Sequence, residues 1–300
     1  MIRPRFLQAG DKVGIVAPAR WVTEEELAPA VKLFESWGLE VVAGPHVHSQ
    51  NNQFAGTDEE RASDLQAMLD DESIAAIVCA RGGYGTVRVL PLLNFEKFLS
   101  HPKWIVGYSD ITALHSLVNR KYNVETIHAL MPIKFYVEGS INPYVNSVKE
   151  VLFGKNPGYA FNPHPLNHQG SCKGTLLGGN LSVLYSLCGT DYDIDTRGKI
   201  LFIEDLDEYL YHIDRMMMNF RLGHKLDQLA GLVIGGMSEM HDNAVPFGKT
   251  AEEIVADVVK DYKYPVAFGF PAGHIDDNQA MIMGREVSLE VNSTGSVLSF

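Results

Sequence analysis

Ile74-Ala75-Ala76-Ile77-Val78-Cys79-Ala80, followed at once by Arg81-Gly82-Gly83-Tyr84-Gly85, decides how this chain folds. An apolar run of strand length without alternation suits a strand buried on both faces, and the glycine cluster then turns the backbone. A short helix is expected next, through residues 87–90. The same order recurs on either side. Residues 12–17 read as a first strand stopping at Pro18, and 23–37 as a helix with apolar Leu27, Val31, Leu33 and Phe34 and a stop at Gly38. Residues 39–43 read as a second strand, 58–69 as a helix with an acid-rich start, and Trp104-Ile105-Val106 as a further strand. Buried apolar strands alternating with amphipathic helices imply parallel strands and crossovers, hence an α/β, doubly wound sheet. Ligands of such sheets bind beyond the carboxyl ends of the strands. Pro18, Arg81-Gly82-Gly83 and Ser109 would share that edge.

Composition changes after residue 153. Gly154-Lys155-Asn156-Pro157-Gly158, Pro163-His164-Pro165 and Asn167-His168-Gln169-Gly170 are turn-rich and lack periodicity, so a linker is expected at 154–170. It would divide an N-terminal doubly wound domain, 1–153, from a C-terminal domain, 171–300, of mixed α and β character that becomes richer in β late. There 181–187, 211–220 and 250–260 read as helices, and 199–203, 229–234 and 265–269 as strands. A terminal hairpin turns near Asn292-Ser293-Thr294-Gly295. No internal repeat or low-complexity tract interrupts this pattern.

The 300 residues carry 37 acidic and 25 basic side chains, a formal net charge of −12. That sign repels phosphate backbones, and with no basic run to offset it nucleic-acid binding is not expected. Cys79, Cys172 and Cys188 form no CxxC pair and read as reduced packing residues. No apolar run is long enough for a signal peptide core or a bilayer span, so a cytoplasmic protein without a membrane partner is expected. His46-Val47-His48 is an isolated pair and HExxH is absent, so no metal or other cofactor is expected. Met216-Met217-Met218 reads as packing or a subunit contact.

Gly107-Tyr108-Ser109-Asp110 follows an apolar strand and precedes a helical pattern through Ile111, Leu114, His115, Leu117 and Val118. A serine on such a turn is held exposed as a nucleophile, and the helix start behind it offers N–H groups to an oxyanion. The competing reading is that Ser109 or Asp110 caps the helix. Ile111 stands where GxSxG requires its last glycine, which disfavours an ordinary α/β-hydrolase. A nucleophilic serine needs a base, and the base an orienting acid. Glu204 ends the apolar strand Ile200-Leu201-Phe202-Ile203, whereas Asp205 would face the other way. His274 follows Phe270-Pro271-Ala272-Gly273, a loop able to fix an imidazole. A solvated strand end and a surface histidine are the competing readings of these two. Arg81-Gly82-Gly83-Tyr84-Gly85 fails GxGxxG at Arg88 and lacks the lysine of a P-loop. Gly82 or Gly83 is therefore read as an oxyanion donor opposite the N–H of Asp110, the alternative being a plain tight turn.

Together these motifs resemble the LD-carboxypeptidase family of serine peptidases, which includes murein tetrapeptide carboxypeptidases. The resemblance extends to Val16-Ala17-Pro18-Ala19, Leu177-Gly178-Gly179-Asn180-Leu181 and Leu201-Phe202-Ile203-Glu204-Asp205. It implies a flavodoxin/Rossmann-like N-terminal domain, a swivelling barrel-like C-terminal domain and an active site between them. It also implies Ser109 as nucleophile, His274 as general base, Glu204 as its acid, and an oxyanion hole from Asp110 and Gly82 or Gly83. The implied substrate is a muropeptide that loses its terminal D-Ala, and the implied assembly is a homodimer. Arg81, with Tyr84 beside it, is the candidate for binding substrate through its terminal carboxylate. Microcin C immunity peptidases, which cleave peptidyl or aminoacyl-nucleotide amides, are the alternative within the family. A non-catalytic small-molecule binding module is the alternative outside it.

Overall fold

A computed structural model describes all 300 residues, Met1–Phe300. The chain forms two compact units, 1–155 with 279–282, and 156–278 with 283–300. The stretch expected as a linker is partly structured: Gly158–Phe161 is an edge strand of the second unit's sheet. Nor does everything beyond residue 171 stay in the second unit, because 279–282 belong to the first.

In the first unit, strands β1 (Lys12–Val16), β2 (Glu40–Ala43), β3 (Ile74–Cys79), β4 (Trp104–Gly107) and β5 (Thr126–His128) are parallel in the spatial order β2-β1-β3-β4-β5. Met281–Met283, from late in the chain, adds a sixth strand beside β5. Every residue of β3 and β4 is buried, as their unbroken apolar sequence requires. Helices α1 (Glu24–Ser36) and α2 (Asp58–Asp70) each begin with a capping box. Thr23 and Glu26 form the first, and Thr57 and Glu60 the second. The remaining α-helices of this unit are α3 (Thr86–Val89), α4 (Glu96–Ser100), α5 (Thr112–Leu117) and α6 (Val145–Leu152). A short hairpin, β6 (Tyr136–Val137) and β7 (Ser140–Ile141), precedes α6. Strand order reverses between β1 and β3, which places the loops after these two strands at the topological switch point.

The second unit is built on a mixed sheet of β8 (Gly158–Phe161), β9 (Gly170–Asn180), β10 (Lys199–Leu206), β11 (Gly231–Ser238), β12 (Val266–Phe268), β14 (Glu286–Asn292) and β15 (Gly295–Ser299), β13 being the Met281–Met283 strand. Strands β9 to β12 are parallel, whereas β14, β15 and β8 pair antiparallel at the other side. Helices α7 (Leu181–Ser186), α8 (Leu210–Leu222) and α9 (Ala251–Val259) complete the unit. Met216 and Met217 are buried in its core and Met218 packs against it, so the methionine run serves packing. No helix is long and apolar enough to cross a membrane.

Candidate active site

Ser109 stands two residues beyond β4 with φ +63°, a left-handed conformation that costs a side-chain-bearing residue energy and persists only where its surroundings impose it. A 3₁₀ turn (Ser109–Ile111) begins there and leads into α5. Neither side chain caps that turn, so the capping reading fails. Asp110 turns its carboxylate away and accepts the Thr86 N–H at 2.8 Å instead. Burial pushes the Asp110 carboxyl upward, opposed by the bonds from Thr86 and by the charge of Arg61. His115, one turn along, donates from Nε2 to the Gly107 carbonyl at 2.9 Å. Burial lowers its pKa to about 4, so it stays neutral and serves as a fixed strut under the turn.

The glycines of the 81–85 turn have separate tasks. A Cβ on Gly82 would lie 3.2 Å from Ser109 Cβ and 3.3 Å from its Oγ, which sets this peptide against the serine. The missing Cβ of Gly83 faces the Arg20 side chain. The Arg81 guanidinium makes one long contact to the Trp21 carbonyl, 3.5 Å, and an ion pair with Glu26 at 4.0 Å. Tyr84 is exposed, its ring 6.2 Å from that of Phe54.

In the second unit β10 runs past its apolar core to Leu206, so Glu204 and Asp205 lie within the strand rather than beyond it. Both are buried, Glu204 completely. The register against β11 shifts between Ile203 and Asp205, and such a bulge re-aims neighbouring side chains. Glu204 Oε2 accepts from the His274 Nδ1–H at 2.7 Å and from the His274 backbone N–H at 3.1 Å. Its Oε1 is buried without a hydrogen-bond partner, an uncompensated acceptor that rewards positive charge on the adjacent imidazole. Gly273 makes this approach possible. Its φ is +108°, and a Cβ there would fall 2.7 Å from Glu204 Cβ and Oε2. Ser238 Oγ donates to the His274 carbonyl at 2.7 Å, and Asn278 Oδ1 accepts the Gly273 N–H at 3.0 Å, so both ends of the loop are tied.

Asp205 has a different partner set. It accepts from Asn180 Nδ2 at 2.9 Å, the Ser182 N–H at 2.8 Å and the Leu206 N–H at 2.9 Å. Burial, and then the charge of Glu204, raise its pKa to about 7. Of the two consecutive acids, Glu204 is therefore the one that meets the imidazole. His46 and His48 do not act together, since one ring bonds Asp64 and the other the Val22 carbonyl. The three cysteines are unpaired, and burial raises the Cys79 and Cys172 thiols, the latter to about 11.

Sequence reading missed Arg61 and the carboxylate role of Asp110. Arg61 sits in the acidic helix start Asp58-Glu59-Glu60-Arg61, which looks solvated, yet it is 2% exposed. No local signal distinguishes a buried arginine from a surface one.

Residues 13–129 match the LD-carboxypeptidase N-terminal domain, and residues 173–289 the LD-carboxypeptidase C-terminal domain. A Bacillus subtilis (strain 168) protein named probable murein peptide carboxypeptidase is 34% identical over 303 residues, spanning 99% of this chain and 94% of that one. The crystal structure of muramoyltetrapeptide carboxypeptidase from Oxalobacter formigenes aligns with a TM-score of 0.88 at 26% identity, covering 96% of this chain and 98% of that one. The microcin C7 self-immunity protein MccF, solved with aspartyl sulfamoyl adenosine, shares the fold: TM-score 0.86, 22% identity, 98% of this chain and 97% of that one. A doubly wound unit and a mixed-sheet unit that both find counterparts in carboxypeptidases define an enzyme of the peptidase class. Both domain matches lie in one order along one chain, and the chain belongs to the LD-carboxypeptidase family.

Proposed function

We propose that this enzyme hydrolyses the amide between an L-configured centre and the terminal D-Ala of murein tetrapeptides, releasing free D-Ala in the cytoplasm during peptidoglycan recycling. The observation that carries the reading is the Glu204–His274 pair, a fully buried carboxylate 2.7 Å from an imidazole nitrogen. Such a pair fixes the tautomer and orientation of a general base and stabilises the imidazolium it becomes. With Nδ1 committed to Glu204, proton transfer falls to Nε2. In this reading Ser109 Oγ attacks the scissile carbonyl carbon while His274 takes its proton. The oxyanion is held by the Asp110 N–H and an N–H of Gly82 or Gly83, favoured by the setting of Gly82 against the serine. Collapse breaks the C–N bond, and His274 returns the proton to the departing amine of D-Ala. Water, deprotonated by the same imidazole, then cleaves the acyl-enzyme ester. Arg81, held only by its two long contacts, keeps hydrogen-bonding capacity for the terminal carboxylate, with Tyr84 beside it. A homodimer is the proposed assembly.

The test is mass spectrometry of products from a murein tetrapeptide, run beside an aspartyl sulfamoyl nucleotide and an all-L tetrapeptide. Release of D-Ala from the first alone is the expected result. Preferential cleavage of the nucleotide conjugate would move the assignment to an immunity-type peptidase. No turnover of any of the three would leave a binding module.

A further inference from the structure

The most heavily invested buried charge outside the acid–base pair is Arg61. Its Nη1 donates to the Pro18 carbonyl at 2.5 Å and to the Gly85 carbonyl at 3.0 Å. Its Nη2 pairs with the Asp58 carboxylate, which in turn takes two bonds from Arg88. The guanidinium lies 4.8 Å from the centre of the Phe54 ring, and its Nε is buried with no partner. Burying a cation to this degree is a poor way to gain stability, because an apolar side chain fills such a space at lower cost in desolvation. What the guanidinium does supply is geometry. The two carbonyls it bridges belong to the loops that follow β1 and β3, the two strands flanking the switch point.

The connection continues to the serine. Gly85, at φ +141°, has no Cβ to intrude; one there would lie 2.7 Å from Arg61 Nη1 and 3.1 Å from the Phe54 ring. The next N–H, that of Thr86, is the one that Asp110 accepts at 2.8 Å, and Asp110 is 3% exposed. The 81–85 turn is thus pinned at its end from two sides, by Arg61 on a carbonyl and by Asp110 on the adjoining N–H. Asp110 also immediately follows Ser109. We propose that Arg61 is a positioning residue for oxyanion stabilisation, locking the 81–85 turn to the Ser109–Asp110 turn so that their N–H groups are preorganised for the transition state. This rests on the serine-peptidase reading above.

The prediction separates kcat from KM. Displacing preorganised donors by about 1 Å is worth roughly a 10²-fold change in rate. Arg61→Met in the full chain should therefore lower the rate of Ser109 labelling by a fluorophosphonate, and kcat for the tetrapeptide, by about 10²-fold, with KM within about 3-fold. Arg61→Lys, which keeps the charge and can reach one carbonyl, should recover part of both. Gly85→Ala leaves Arg61 in place but presses a methyl against it, and should give the same kcat signature even if Arg61→Met fails to fold. All rates are taken well below each variant's melting temperature. A lowered melting temperature with unchanged labelling rate and kcat would overturn the proposal, as would a raised KM with unchanged kcat. If the unsubstituted protein labels at Ser109 but releases no D-Ala, the substrate reading fails while the labelling rates still decide the role of Arg61. If it neither labels nor cleaves, both fail.

Discussion

The two units prepare their chemical groups by opposite means. In the first, the serine is presented by backbone conformation: Ser109 and Gly85 both hold positive φ, and the turns they sit on are tied by the Asp110 carboxylate on the Thr86 N–H, with the Arg61 guanidinium on the Gly85 carbonyl. In the second, the proposed acid and base are set by side-chain chemistry, with a carboxylate buried inside a strand and an imidazole brought onto it by a glycine. A nucleophile needs exposure and a fixed direction, which a strained turn gives it. A base needs a defined tautomer and a partner for its positive charge, which a desolvated carboxylate gives it. Each arrangement should therefore fail when its functional group is removed, and lose less when the glycine beside that group gains a side chain.

The sharpest break is expected from removing the groups themselves. Ser109→Ala should abolish fluorophosphonate labelling and lower kcat by about 10⁴-fold or more, with the melting temperature little changed. Glu204→Gln should approach that loss, about 10⁴-fold, because an amide can present the wrong group to Nδ1. Steady-state D-Ala release and thermal melting check both, and retention of activity by either variant would break the triad assignment.

Next come the glycines, where the contrast between the units is tested directly. Gly273→Ala puts a methyl into Glu204 at a positive φ and should cost about 10²-fold in kcat together with about 1–3 kcal/mol of stability, read from urea melts. Gly82→Ala meets Ser109 and Met131 only at 3.2 Å and sits outside the left-handed region. Its expected cost is smaller in stability and falls on kcat. Arg81→Gln should raise KM about 10-fold and leave kcat nearly unchanged, the signature of lost ground-state binding to a carboxylate.

The smallest effect concerns Asp205. Its pKa in the fold is about 7 against an ordinary 3.8, so the folded state holds a proton that the unfolded chain has released. The stabilisation linked to that proton is complete below pH 3.8 and is lost as pH rises through 7. The melting temperature should thus decline by a few degrees between pH 5 and 8, and Asp205→Asn should flatten that decline. An identical slope in both proteins would remove Asp205 as its source.

Strand and helix identity in the first unit was legible because β3 and β4 are apolar throughout and α1 carries Leu27, Val31, Leu33 and Phe34 at helical spacing before Gly38. Boundaries were less so. Strand β10 continues through two acids because each finds a partner at a distance, Glu204 in His274 and Asp205 in Asn180 and Ser182, and no window of sequence contains those pairs. Strand β8 was hidden in a turn-rich stretch because edge pairing with β15 supplies hydrogen bonds that its own residues do not advertise.

The sequence by itself determined the α/β alternation, the serine turn, and which residue types were candidates for the proposed acid and base, since these depend on local pattern and side-chain chemistry. Only the tertiary structure decided which of two adjacent acids meets the histidine, that Asp110 binds Thr86 instead of capping its helix, and that an arginine in an acidic helix start is buried. Those outcomes depend on hydrogen-bond partners from 24 to 70 residues away, selected because a buried charge or carbonyl must be satisfied by whatever the fold brings beside it.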